Sequence, residues 1–251
     1  MNQPTIRQPV LPRIGVLGGM GPLATADFLA KLAHATPAVR DQDHFPVTVD
    51  STPQIPDRVA ALQGRGPDPL PALVAAAERL AAAGCALVAM PCNTAHLWHA
   101  RLAAASRLPL LDIVDAVDTE IGDARRVGLL ATAATLSHGL FQSRPGSRRD
   151  WFVPDPADMD ALIAPGIAAV KAGDLATGGR LLRRAARRLA ARGADILVLA
   201  CTEIPLVIAA SDLTVPVIDA TAALARHTIA CATRLRTDAL APSQASMIGA
   251  V

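Results

Sequence analysis

Two stretches of this chain repeat one another at a single offset. Leu87-Val88-Ala89-Met90-Pro91-Cys92-Asn93-Thr94 and Ile196-Leu197-Val198-Leu199-Ala200-Cys201-Thr202-Glu203 are each an apolar run ending in a cysteine that polar residues follow. Upstream, Arg79-Leu80-Ala81-Ala82 lies over Arg188-Leu189-Ala190-Ala191, and Gly84 over Gly193. Every pair is spaced as the cysteines are (201 − 92 = 109 positions). Both copies therefore read as helix, glycine stop, buried strand, thiol. Two looser echoes support the same division. Val127-Gly128-Leu129-Leu130-Ala131-Thr132 parallels Ile14-Gly15-Val16-Leu17-Gly18-Gly19, and Val215-Pro216-Val217-Ile218-Asp219 parallels Leu108-Pro109-Leu110-Leu111-Asp112. The pattern predicts two related halves, the second starting near residue 113, each presenting one thiol from a strand tip.

The intervening segments fill in an alternating strand and helix order. Residues 1–12 form a proline-bearing arm without periodicity. Strands are expected at 14–17, 45–51, 85–91, 108–112, 127–132, 151–153, 194–200 and 215–219. Helices are expected at 25–32, 72–83, 93–105, 113–121, 135–141, 158–171, 175–192, 204–210 and 221–236, followed by a patternless tail. Such alternation gives parallel sheets with helices on both faces, and ligands then bind beyond the C-terminal strand ends. Both cysteines stand at such ends. The turn Gly18-Gly19-Met20-Gly21-Pro22 joins a strand to a helix. Its spacing is not the dinucleotide pattern; backbone donors at Gly19 and Met20 aimed at a carboxylate are the better use for it, beside the strong alternative that the glycines serve only a tight turn. Arg58 follows a strand and a proline-rich loop. It is a candidate carboxylate clamp, weighed evenly against an ordinary surface arginine.

Composition excludes several classes. With 251 residues, 51% of them hydrophobic, there is material for one large domain or two ordinary ones. The net charge is +2 and scattered, and there are two Trp, four Phe and no Tyr, so neither an electrostatic footprint nor a stacking platform for nucleic acid is present. The arginines from Arg180 to Arg192 sit within a periodic segment and read as a solvated helix face. Residues 1–10 lack the apolar core of a signal peptide, and no apolar run is long enough for a membrane span, so a cytoplasmic location is expected. Four cysteines in that setting are free thiols.

Cys85 and Cys231 read as core. Cys92 and Cys201 differ because each closes its strand and precedes polar residues. A strand-to-helix junction lowers a thiol's pKa, so either cysteine is expected to reach the thiolate at neutral pH. Inverting a stereocentre needs a base on one face and an acid on the other, and two equivalent thiols can exchange those roles. Asn93, Thr94, Thr202 and Glu203 stand ready to orient the thiols or hold substrate. Cys92 with His96 is too thin a pair for a metal site, and no pyridoxal-lysine, flavin or nicotinamide pattern is present.

The motifs Leu17-Gly18-Gly19-Met20-Gly21-Pro22-Leu23-Ala24-Thr25-Ala26, Asp41-Gln42-Asp43-His44, Pro53-Gln54-Ile55-Pro56-Asp57-Arg58, Met90-Pro91-Cys92-Asn93-Thr94-Ala95-His96 and Cys201-Thr202-Glu203-Ile204-Pro205-Leu206 make the chain resemble the aspartate/glutamate racemase superfamily over about residues 13–230. Glu203, where glutamate racemases typically carry His, makes it similar to the aspartate racemase branch. The resemblance implies an α/β fold of two pseudo-symmetric, flavodoxin-like parallel-sheet domains with the active site in the cleft between them. Residues 1–112 with 219–251 would form the first domain and 113–218 the second, the C-terminal helix crossing back to the first. It further implies a homodimer that uses no pyridoxal phosphate or metal. Cys92 and Cys201 would be acid and base. Asn93, Thr94 and Thr202 would bind the α-carboxylate or ammonium group, Arg58 and Lys171 a substrate carboxylate, while Gln54 and Thr132 would line the cleft. Thr52, Ala134 and His138 depart from the branch's usual residues and bear on the substrate's side chain.

The expected function is cofactor-independent racemisation of aspartate or a related acidic amino acid. Two other readings stand beside it. One is an isomerase or decarboxylase of a dicarboxylate on the same scaffold, although some of those relatives keep one cysteine only. The other is a catalytically silent binding protein.

Overall fold

The computed structural model describes residues 11–144 and 148–240; most of the expected N-terminal arm and the tail from residue 241 lie outside these. In chain order the elements are β1 (Arg13–Gly18), α1 (Pro22–Ala35), β2 (Val47–Ser51), α2 (Arg58–Leu62), α3 (Leu70–Ala82), β3 (Cys85–Ala89), α4 (His99–Ala105), α5 (Ile113–Ile121), β4 (Arg126–Ala131), α6 (Ala133–Ser137), β5 (Asp150–Phe152), α7 (Pro156–Asp158), α8 (Ala164–Lys171), α9 (Leu175–Ala191), β6 (Ile196–Ala200), β7 (Val217–Asp219) and α10 (Ala220–Leu240). A wider π turn over Met159–Ile163 joins α7 to α8.

Two parallel sheets result, in the orders β2-β1-β3 and β5-β4-β6-β7. The chain has the α/β architecture that the alternation predicted. β3 (Cys-Ala-Leu-Val-Ala) and β6 (Ile-Leu-Val-Leu-Ala) are buried on both faces, hence their unbroken apolar runs. β3 stops short of its cysteine because Pro91 has no N–H for the ladder. β6 runs directly into Cys201.

α5 and α10 lie between the sheets. One apolar core takes Ile14, Val16 and Leu87 from the first sheet and Val127, Leu129 and Val198 from the second, joined through Val114, Val117, Leu224 and Ile229. α10 packs against both α1 and α5. Lys31 of α1 pairs at 2.6 Å with Asp219, the last residue of β7 before α10, and Arg226 of α10 holds Glu120 of α5 through two 2.7 Å bonds.

Some expected elements are different in form. Leu108–Asp112 is not a full strand; it contributes a single bridge, Leu110 to Val88. The segment expected as a helix over 204–210 makes two short 3₁₀ turns instead, Ile204–Leu206 and Ala210–Asp212. α2 begins where the sequence suggested only loop: Asp57 caps it, accepting the Ala60 N–H at 2.7 Å. The arginines of α9 are less free than a solvated face. Arg183 and Arg192 donate to the carbonyls of Val207 and Val153, Arg187 to that of Asp212, and Arg188 pairs with Asp158.

Two contacts set where the site residues stand. α8 and α9 meet through glycine: a Cβ on Gly178 would sit 2.4 Å from Val170 Cγ2 and 3.0 Å from the Gly166 carbonyl. This close approach fixes the end of α8, where Lys171 lies. His96, buried in the turn after Cys92, receives the Ile113 N–H on Nε2 (3.1 Å), so its Nδ1–H donates to the Cys92 carbonyl at 2.8 Å. It also stacks on His99, with centroids 5.5 Å apart. One ring thus ties the Cys92 segment to the first turn of α5.

Gly178→Ala gains helix propensity of about 1 kcal/mol but overpacks Val170 and the Gly166 backbone, which costs about 1–3 kcal/mol. A net loss of stability on urea unfolding is the expected result; an unchanged or raised midpoint would show that α8 and α9 can separate freely. Burial holds His96 neutral, lowering its pKa to about 4 from the ordinary 6.5. The unfolded chain therefore binds more protons between those values, and stability is full above pH 6.5 and falls as pH drops toward 4. The melting temperature should follow this course, and His96→Gln should flatten it while lowering stability at pH 7. Equal slopes in both proteins would remove His96 as the source.

Candidate active site

Met20, Asp57, Arg58, Val59, Cys92, Asn93, Thr94, Thr132, Lys171, Cys201, Thr202 and Glu203 line one cleft. The two strand tips, β3 and β6, bring a cysteine to it from each sheet. Both thiols are buried, at 6% and 5% exposure. The cleft is closed down to a free volume of about 30 Å³, room for roughly two waters.

Ten residues were expected to bind substrate, and eight of them line this cleft. Gln54 and Gly19 do not. Gln54 is exposed on the turn after β2. Gly19 is committed elsewhere: its N–H donates to Thr25 Oγ1 at 2.9 Å, and at φ +87° its Cα abuts the Thr52 backbone, where a Cβ would fall at 2.5 Å. Its role is to let the β1–α1 turn pass close to Thr52, and the neighbouring Met20 faces the cleft. Asp57 and Val59 line it as well, although the sequence did not single them out. The only signal for Asp57 was its place as the cap of a helix hidden among prolines.

The cleft carries both signs of charge. Arg58 donates Nη1 to the carbonyls of Ile55 (3.0 Å) and Pro56 (2.9 Å), which pins the guanidinium. Among the described residues, neither Arg58 nor Lys171 pairs with a carboxylate. Glu203, 5% exposed, accepts the Cys201 Sγ–H and the Thr202 hydroxyl on the same oxygen, each at 3.1 Å.

These surroundings govern the thiols. Burial pushes the Cys92 thiol up; the Arg58 charge, the Ala95 N–H and Lys171 pull it back, and Glu203 opposes them. Burial pushes Cys201 well up, and both the charge and the hydrogen bond of Glu203 push it further. The expectation of ready thiolates at helix N-termini thus gives way in the closed site. The turns that follow the cysteines are short 3₁₀ pieces, Thr94–Trp98 and Ile204–Leu206, and desolvation outweighs them. A cation thus favours the thiolate of Cys92, whereas a carboxylate favours the thiol of Cys201.

Asn93 is 2% exposed, and neither its Oδ1 nor its Nδ2 has a hydrogen-bond partner. A buried amide left wholly unpaired costs on the order of 1–3 kcal/mol. Here it lies beside Cys92 in the lining, where a bound molecule would supply both a donor and an acceptor. His96 has both ring nitrogens occupied within the fold and is a structural residue.

With this geometry in hand, comparison with known proteins is informative. The family model of Asp/Glu/Hydantoin racemase matches residues 17–228. The broad specificity amino-acid racemase RacX of Bacillus subtilis is 28% identical over 225 residues, covering 86% of this chain and 96% of that one. The structure of Picrophilus torridus aspartate racemase superposes with a TM-score of 0.80 at 31% identity, over 88% of this chain and 94% of the other. An aspartate racemase homologue from Pyrococcus horikoshii shares the fold, with a TM-score of 0.70 at 24% identity over 89% and 100% of the two chains. The chain belongs to the Asp/Glu/hydantoin racemase family and is an isomerase of the pyridoxal-independent racemase type.

Proposed function

We propose that the protein interconverts the enantiomers of an acidic amino acid, aspartate first among them, by proton transfer between Cys92 and Cys201. The observation that carries this reading is the unpartnered amide of Asn93 in a closed cleft that also holds two thiols and the cations Arg58 and Lys171. An amino acid offers what that lining lacks: a carboxylate to accept from Nδ2, an ammonium group to donate to Oδ1, and a second carboxylate for the second cation.

The chemistry follows from the placement. One cysteine, as thiolate, takes the α-proton; the C–H bond breaks, an S–H bond forms, and the electron pair passes into the α-carboxylate. The other cysteine, as thiol, delivers its proton to the opposite face of the planar carbon. Asn93, Thr94 and Thr202 hold the α-carboxylate and ammonium group, and donors already oriented there stabilise the charge that develops. Arg58 and Lys171 hold the carboxylates. No pyridoxal phosphate or metal enters this scheme. A homodimer in the cytoplasm is the setting that the family resemblance suggests.

Cys92→Ser and Cys201→Ser should each reduce racemisation by about 10²–10⁴-fold with circular dichroism unchanged, read by α-proton exchange in deuterated buffer on both enantiomers of aspartate, glutamate and a wider amino-acid panel. Full activity in either variant would end the two-thiol scheme. Loss of carbon dioxide or a moved double bond would point to the dicarboxylate chemistry instead. Glu203→Gln removes the charge that holds the Cys201 proton. In the direction where Cys201 is the acid, the alkaline limb of kcat/KM should therefore move to lower pH. Unchanged limbs in both directions would show that the Cys201–Glu203 contact has no part in turnover.

A further inference from the structure

At the cleft wall lies a triangle of hydroxyls of which the scheme above uses only Thr94. Thr94 follows Cys92 on the first sheet's side; Thr132 and Thr135 open α6 on the second sheet's side. Thr94 Oγ1 lies 3.2 Å from Thr132 Oγ1 and 3.0 Å from Thr135 Oγ1, and Thr132 Oγ1 donates to Thr135 Oγ1 at 3.0 Å. The Thr135 N–H donates in turn to Thr132 Oγ1 at 3.2 Å. Thr94 and Thr132 line the cleft, whereas Thr135 does not and is fully buried.

Proton counting limits how this triangle can be bonded, since in each of the two contacts with Thr94 either hydroxyl can donate. A hydroxyl has one proton to donate. Thr132 accepts the Thr135 N–H and sends its own proton to Thr135 Oγ1. Thr135 then has one acceptor left within reach, Thr94 Oγ1. With Thr135 as the donor to Thr94, the Thr94 proton has two places to go, back to Thr132 Oγ1 at 3.2 Å or into the cleft, where a bound carboxylate is the stronger acceptor. Each bond in such a chain polarises the next, and burial strengthens the effect. The chain starts on the backbone of α6 and ends at a substrate-facing donor on the opposite wall.

We propose that Thr135 is a positioning residue for the reaction: its hydroxyl spans the two walls, aligns Thr94 and Thr132, and turns the Thr94 proton toward the substrate carboxylate. The inference rests on the racemase reading only for the identity of the ligand. Its content is that a group out of reach of the substrate sets how tightly the substrate is held.

Thr135→Val keeps the shape and removes the hydroxyl; Thr135→Ser keeps the hydroxyl. The Val variant should weaken aspartate about tenfold, the upper size of one hydrogen bond, in KM and in the calorimetric Kd, with kcat changed less than about twofold. The Ser variant should restore binding to within about twofold. Wild-type KM and Kd in the Val variant, or equal losses in Val and Ser, would overturn the proposal. Should the Val variant fail to fold, Thr135→Ala against Thr135→Ser decides: weakened binding in Ala alone supports it, and equal binding overturns it. The two readings fail separately. An unaltered chain that binds aspartate without exchanging its α-proton refutes racemisation, while a Val defect in Kd would still uphold the relay.

Discussion

The apolar layer contributed by α5 and α10 is what the remainder of the molecule leans on. It buries residues of both sheets in one continuous core, so the sheets cannot slide past one another without exposing Val117, Leu129 or Leu224 to water. Because β3 pairs with the central β1, β6 lies inside its own sheet, and both are packed into this arrangement, their C-terminal tips are held to a fixed relation. The cleft is the gap between those tips. Lys31–Asp219 and Arg226–Glu120 add directional ties at the layer's surface, and the His96 ring ties its edge to the Cys92 turn. Apolar packing thus places the thiols, and the polar contacts refine the placement.

Much of this was legible in the chain itself. The constant offset between two strand-cysteine units predicted paired halves, and unbroken apolar runs predicted strands covered on both faces. Eight of the ten expected binding residues reach the cleft because they sit next to strand ends, where chain order and spatial order coincide. Asp57 and Val59 were hidden because α2 is a single turn or so wedged after two prolines, too short to show periodicity. Gln54 sits between visible signals but points outward. Gly19 was misjudged because its N–H has a local acceptor, Thr25, that only the folded turn reveals. The state of the thiols was the least legible property. It depends on desolvation, and sequence adjacency to a helix says nothing about how much water remains.

The mixed charge of the cleft separates its two thiols more than the repeat implies. Cys92 and Cys201 occupy matched places, yet a guanidinium attends one and a carboxylate the other. Thr202 and Glu203 replace Asn93 and Thr94 at the same offset, so the halves diverge at the residues that tune proton affinity while keeping those that form the scaffold. Pseudo-symmetry here is a property of the backbone; the electrostatics are directional.

The small free volume of the cleft has a kinetic consequence. With both thiols buried, the passage of substrate and product calls for a parting of the walls, a motion of the microsecond to millisecond class. On the two-thiol scheme one turnover leaves the cysteines with exchanged protonation, a form of the enzyme suited to the reverse reaction. Solvent can reset it only while the walls are apart. At high substrate concentration the rate would then be governed by the interconversion of two free-enzyme forms, and bond breaking at the α-carbon would cease to be the slow step.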